Sequence, residues 1–400
     1  MDERKISWVK KNDLAALLLI SIFMNGFETG GYQAVLLSIG QTYQLDERGQ
    51  GILAAVELFA TMIAPIIFGT IADQVGKKIM LVLSTFARVV SGAIIFIAFH
   101  SVIFAVGIAI LGCATSIIQY VAIAAMDDIY PKTRHNRMGF IAATYALGAV
   151  VAPLLVGATI NGPLGWRAFF LMDCVISLIM TILLWKISFA VREEVEDADS
   201  MNARAVVTDQ KKGNTTQIYY LGVALLCFIM FVYVGVENGV GFFLNGFMYS
   251  TMDSEKGYLA LSLFWFSMIP ARIMCGIFAK YRAVLLCLAS IGATAFLLVL
   301  SMVNTEMSAF VVVFILGFFC GAVYPNVLTY AADFAGERTA TVIAAITVAT
   351  GVGGTLVSGV FGFLETALGY RSSFVALMFF MALDIVVSIW VVKIAKPVVQ

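Results

Sequence analysis

Apolar residues run along this chain in long blocks, separated by short clusters of charged and polar positions. The blocks lie near 14–39, 50–72, 79–99, 102–127, 138–160, 167–190, 217–247, 257–279, 283–303, 308–332, 339–363 and 372–394. A run of roughly 20 apolar residues is what an α-helix needs to cross the hydrocarbon core of a bilayer. The blocks lack the two-residue alternation of barrel strands, and lipid satisfies no backbone polar group, so each one predicts a helix. The expected fold class is an all-α membrane protein with twelve transmembrane helices.

Composition agrees. Of 400 residues 61% are apolar and only 12% charged, well away from the balance of a soluble domain. Lys+Arg and Asp+Glu both number 25, so there is no basic excess and no nucleic-acid partner is expected. The six cysteines sit in apolar blocks without zinc spacing, and there are two histidines. No metal or other cofactor is expected, and no phosphate loop or nucleophile elbow points to an enzyme. The expected partners are the lipid bilayer and a small-molecule solute. The N-terminal MDERKISWVKKND has mixed charge and no small-residue cleavage site, unlike a signal peptide.

Charge fixes the expected orientation. With the N-terminus placed in the cytoplasm, nineteen of the 25 Lys and Arg fall in inner segments and four (Arg48, Arg167, Lys256, Arg371) in outer ones. The positive-inside rule then puts both termini in the cytoplasm of a multi-pass cell-membrane protein. The long polar stretch 191–216 divides the spans six and six. It is expected to be a cytoplasmic linker between an N-terminal bundle, 1–190, and a C-terminal bundle, 217–400.

The halves repeat each other. Gly26-Phe27-Glu28-Thr29-Gly30 aligns with Gly235-Val236-Glu237-Asn238-Gly239, Ile110-Leu111-Gly112 with Ile315-Leu316-Gly317, and Asp128 with Asp333. Gly148 aligns with Gly353, and Leu164-Gly165-Trp166-Arg167 with Leu368-Gly369-Tyr370-Arg371. An ordered series of this kind predicts a duplicated six-helix unit, so the fold is expected to be two pseudo-symmetric bundles. Such repeats are a building plan of secondary transporters, with the solute near the midplane between the halves.

Gly69-Thr70-Ile71-Ala72-Asp73-Gln74-Val75-Gly76-Lys77-Lys78, between spans 2 and 3, resembles the G-x-x-x-D-x-x-G-[RK]-[RK] signature of the major facilitator superfamily. In the second half, Tyr233-Val234-Gly235-Val236-Glu237, Phe264-Trp265, Arg272, Gly276 and Gly317-x-x-x-Gly321-x-x-x-Pro325 are similar to the fucose permease and glucose transporter branch. The resemblance implies the major facilitator fold, a monomer, alternating access, and uptake of a sugar or sugar-like solute coupled to protons, with sodium as the other candidate ion. The first half departs from that branch, having Gln33 and Gln119 where fucose permease has carboxylates. A proton-exchanging exporter of drugs, organic anions or metabolites remains the alternative. The resemblance also implies a gating latch: Asp73 capping the cytoplasmic end of span 11, Gly76 in the turn, and Lys77 and Lys78 pairing with Asp127 or Asp128 at the end of span 4.

An ionisable residue at membrane depth is costly and marks a functional position by default. Glu28 and Glu237 are the expected proton-coupling groups, since a carboxyl can take up and release a proton as access alternates. Arg88 and Arg272 never lose their charge, so each needs an acid or a solute to face. They join Gln33, Gln119, Asn238, Tyr324, Asn326 and Trp265 as expected solute-binding residues, because amides and aromatic faces suit hydroxyl-bearing molecules. Asp173 and Asp384, on spans 6 and 12, are expected to be structural.

Overall fold

The computed structural model describes residues 3–129, 134–187, 218–335 and 338–398; its side chains are described over 12–68, 74–126, 140–187, 218–335, 338 and 342–395. The expected apolar blocks are helices: α1 (Glu3–Tyr43), α2 (Glu47–Val75), α3 (Lys77–Ile97), α4 (Ser101–Ile129), α5 (Arg134–Thr159) and α6 (Arg167–Lys186). The second half follows with α7 (Tyr220–Met252), α8 (Gly257–Ile277), α9 (Arg282–Met302) and α10 (Glu306–Phe334). The remaining helical stretch, Thr339–Val398, is interrupted at Gly369 (φ 79°). It holds two spans, α11 (339–368) and α12 (370–398).

The interruption shows why the repeat is legible as sequence. Gly165 (φ 54°) and Gly369 (φ 79°) both take a left-handed backbone, which only glycine enters without steric cost. Each reverses the chain ahead of the last helix of its half. The arginine two residues later then ties that helix to its neighbour. Arg167 Nη2 donates to the carbonyl of Ala98 at 2.8 Å. Arg371 donates to those of Ser301 and Val303 at 2.7 and 2.8 Å.

Helix crossings repeat in the same way. A Cβ on Gly148 of α5 would strike the carbonyl of Phe23 on α1, and one on Gly353 of α11 would strike that of Phe231 on α7. Likewise Gly112 on α4 lies against the carbonyl of Glu57 on α2, and Gly317 on α10 against that of Phe264 on α8. Without a hydrophobic driving force between helices in lipid, close backbone approach at small residues is a main source of packing energy. The repeated glycines therefore place equivalent helices at equivalent crossings, giving two pseudo-symmetric six-helix bundles.

The bundles meet along a seam. In the half of the molecule away from the termini, Asn245 Nδ2 donates to the carbonyl of Ala34 (2.6 Å), and Ser262 Oγ to that of Val150 (3.0 Å). Arg48 N donates to Thr366 Oγ1 at 3.1 Å. Gly51 and Gly362 touch backbone to backbone, so α2 and α11 close this far end of the seam tightly.

Candidate functional site

Each half contributes one layer of buried polar groups. In the N-terminal half, Arg88 on α3 is 1% exposed. Its Nε and Nη2 donate to the two carboxylate oxygens of Asp173 on α6, at 2.9 and 2.6 Å. Nη1 donates to Asn25 Oδ1 at 3.0 Å, and Nη2 also to the carbonyl of Met24 at 2.7 Å. A planar guanidinium bidentate on a carboxylate is the strongest way to hold such a charge out of water. Asn25 passes the network on: its Nδ2 donates to Gln119 Oε1 and to the carbonyl of Thr115, both at 2.9 Å. Arg88 is thus occupied inside the bundle. The expectation that it binds solute places it at the seam, and the structure places it elsewhere, because Asp173 on the neighbouring helix takes its charge.

Glu28, on the same face of α1, has no such partner. Thr115 Oγ1 approaches its Oε2 at 3.5 Å, while Oε1 finds no hydrogen bond in the protein. Glu57 on α2 and Asp173 add negative potential around it, and Arg88 positive. Thr61 Oγ1 donates to Glu57 Oε1 at 3.0 Å.

The C-terminal layer is arranged differently. Arg272 Nη2 on α8 stands 3.9 Å from Glu237 Oε1 on α7, and Tyr233, one turn before Glu237, lies within electrostatic reach of both. Arg272 Nε has no partner in the protein. Tyr324 on α10 faces the same two charges and is 39% exposed. Asn238 donates to the carbonyl of Val234 at 3.0 Å and points toward Gly354 on α11.

Two aromatic residues join the layers. Trp265 Nε1 on α8 donates to Gln33 Oε1 on α1 at 3.0 Å, across the seam. Gln33 Nε2 is left without a partner in the protein. Tyr145 on α5 packs edge-on to Trp265 with ring centroids 6.3 Å apart, and its hydroxyl shares a 2.7 Å hydrogen bond with Thr29. Glu28 and Glu237 both act electrostatically on Tyr145. Gln33, Trp265, Tyr145, Glu237, Arg272 and Tyr324 therefore gather near mid-helix at the seam as the candidate site. Gln119 stands half-buried beside Asn25.

Asn326 lies outside this group. It is buried between α10 and α8, donating to the carbonyl of Ala322 at 2.7 Å and to Cys275 Sγ at 3.3 Å. Tyr145 and its partner Thr29 join the group, as does Tyr233 beside Glu237 and Arg272; of these, nothing in its sequence setting marks Tyr145 apart from other polar residues in apolar blocks. The latch residues Asp73, Asp127 and Asp128 lie outside the described side chains. Gly76 takes φ 94° in the turn. Lys77 Nζ donates to the carbonyl of Ala124 at 3.2 Å, which brings it to the end of α4; Lys78 is half-buried on the first turn of α3. In the second half Lys280 replaces the motif's Asp and Ala283 its Gly, yet Arg282 pairs with Asp333, the repeat mate of Asp128.

A family model described as Major Facilitator Superfamily matches residues 18–358. Among curated proteins, myo-inositol transporter 2 of Cryptococcus neoformans is 28% identical over 199 residues, 48% of this chain and 36% of the relative. Myo-inositol transporter 1 of Saccharomyces cerevisiae is 32% identical over 155 residues, 37% of this chain and 26% of the relative. These matches cover only about a quarter to a third of each relative's length. Among solved structures, a bacterial homologue of the human lysosomal transporter Spinster, inward-facing and unoccupied, superposes with a TM-score of 0.78 at 14% identity, covering 97% of this chain and 98% of that one. A D-xylose–proton symporter superposes with a TM-score of 0.75 at 13% identity, covering 95% and 96%.

Proposed function

The chain belongs to the major facilitator superfamily and is a multi-pass membrane transporter, and from that premise we propose that it carries a small neutral polyhydroxylated solute, a sugar or cyclic polyol, by alternating access coupled to protons. The carrying observation is the chemistry of the mid-depth site. Its one arginine already faces Glu237 at 3.9 Å, so the pair presents no net charge to a solute. Amide and ring groups surround it, including the unpartnered Gln33 Nε2. Ring faces and amides suit a molecule that is apolar on its C–H faces and hydrogen-bonding at its rim. An anionic substrate would need an uncommitted cation, and Arg88 is committed to Asp173. The partial likeness to myo-inositol transporters supports the same class.

Glu28 is the coupling group in this proposal. Of the two first-helix acids it is the one with no ion pair among the described residues, so it is free to exchange a proton as the seam opens on one side and then the other. Glu237, held by Arg272, orients solute. The termini face the cytoplasm, as the lysine and arginine distribution favours, and 191–216 links the bundles. No oligomer is required.

The test is counterflow in proteoliposomes with labelled myo-inositol, hexoses, organic anions and cationic drugs, with and without an imposed pH gradient. Accumulation of a polyol or sugar above equilibrium under an inward proton gradient is expected. Exchange of only anions or drugs overturns the solute assignment, and gradient-independent accumulation overturns the coupling.

A further inference from the structure

The far end of the seam carries a pair of acids that the transport site does not use. Glu47 is the first residue of α2, in the N-terminal half; Glu365 lies on α11, in the other half, four residues before the Gly369 break. The two acids face each other across the seam, where Arg48 N donates to Thr366 Oγ1 at 3.1 Å and Gly362 packs on the carbonyl of Glu47. Glu365 is only 9% exposed, and its Oε2 has no hydrogen-bond partner in the protein. Two ionised carboxylates held close together repel, and a proton shared between them removes that repulsion.

The surroundings supply no positive charge in its place. Asp46, in the turn before α2, adds a further negative charge, and Tyr370 from α12 faces both carboxyls. At this level α7 offers the Ser250 hydroxyl. Arg48 is close, but its guanidinium lies 5.0 Å over the ring of Phe363. Arg371 is committed to the carbonyls of Ser301 and Val303 and to Asn304 Oδ1. Among the described residues no lysine or arginine forms an ion pair with either acid. The backbone leaves no room to separate them either, because Gly362 packs against the carbonyl of Glu47 and against Gly51. The helix ends decide where the proton sits. Glu365 is buried near the C-terminus of α11, which disfavours a negative charge, so it is the acid that takes the proton.

We propose that Glu47 and Glu365 form a proton-binding lock on the far face of the transporter, closed when a proton from that side bridges them and opened when it leaves. The lock rests on the alternating-access reading above, and adds that the solution on the far side sets how long the seam stays shut. Lowering the pH there favours the closed far end, and so the conformer open toward the termini. One proton is involved, so the ratio of closed to open changes by at most about tenfold per pH unit.

The full-length chain with its native cysteines replaced, spin-labelled at Gln41→Cys and Leu368→Cys and reconstituted in nanodiscs, reports this equilibrium as an inter-label distance distribution. The short-distance population is expected to grow as pH falls from 8.5 to 5.5. In Glu365→Gln, whose amide donates to Glu47 without titrating, the short distance is expected to dominate at every pH. Glu47→Gln is expected to lose the pH dependence too, and serves if the first variant fails to fold. A pH dependence unchanged in both variants, or a wild-type distance that moves with added myo-inositol but not with pH, overturns the lock alone. A distance fixed under pH and every solute tested removes alternating access, and the lock with it.

Discussion

In the N-terminal half Arg88 on the third helix binds Asp173 on the last, and the acid of the first helix, Glu28, is left without a cation. In the C-terminal half Arg272 on the second helix faces Glu237 on the first. There it is the acid of the last helix, Asp384, that is left, held by Ser290 Oγ at 3.4 Å with its Oδ1 unpartnered. Both halves have one intramembrane arginine, one acid on their first helix and one on their last. Moving the arginine by one helix exchanges which acid it neutralises. A duplicated scaffold can therefore separate two tasks: one half keeps an acid available for a proton, and the other keeps a neutralised pair available for a solute.

The comparison is broken most severely at the buried pair. Asp173→Ala leaves Arg88 charged and alone inside the N-terminal bundle, which typically costs about 3–5 kcal/mol. Thermal unfolding in detergent is expected to show a large loss of stability or no folded protein. Next in effect are the two first-helix acids. Glu28→Gln is expected to abolish accumulation driven by a proton gradient while leaving counterflow of the solute intact. Glu237→Gln is expected to impair counterflow itself, because it uncouples Arg272. If both variants fail in the same assay, the division between halves is wrong.

The shared scaffold is tested by matched substitutions. Gly148→Val and Gly353→Val both force a side chain into a helix carbonyl, and each is expected to cost about 1–3 kcal/mol in detergent unfolding. Unequal losses would show that the two crossings are not mechanical equivalents. Asp384→Asn is expected to do least, less than about 1 kcal/mol, since its amide still accepts the Ser290 hydrogen bond and no cation loses its partner. A cost near that of Asp173→Ala would mean that a charged Asp384 meets an unseen counter-ion.

The spans and the repeat were legible in the sequence because lipid imposes one rule on every residue of a span, and that rule leaves long uninterrupted traces. Segment ends were less so: α1 and α7 run to Tyr43 and Met252, beyond their apolar blocks, because polar residues such as Gln41 and Thr251 continue a helix outside the membrane core. Partner choice was not legible. Arg88 and Arg272 look alike in sequence, each a lone cation in an apolar block, but the acid that Arg88 takes is 85 residues away and is selected by the α3–α6 crossing. Glu47 and Glu365 are inconspicuous for the opposite reason. They lie at span ends, where charge is ordinary, and only the closed seam makes them neighbours.

The backbone contact of Gly51 with Gly362 also makes the far end a place to insert a wedge. Any larger residue at position 362 has to displace the first turn of α2, so a bulky substitution there would prop the far mouth apart without touching the transport site. A series of increasing side-chain size would give a graded set of trapped conformers. Selecting antibody fragments against them would yield reagents that report which way the carrier faces in a living membrane.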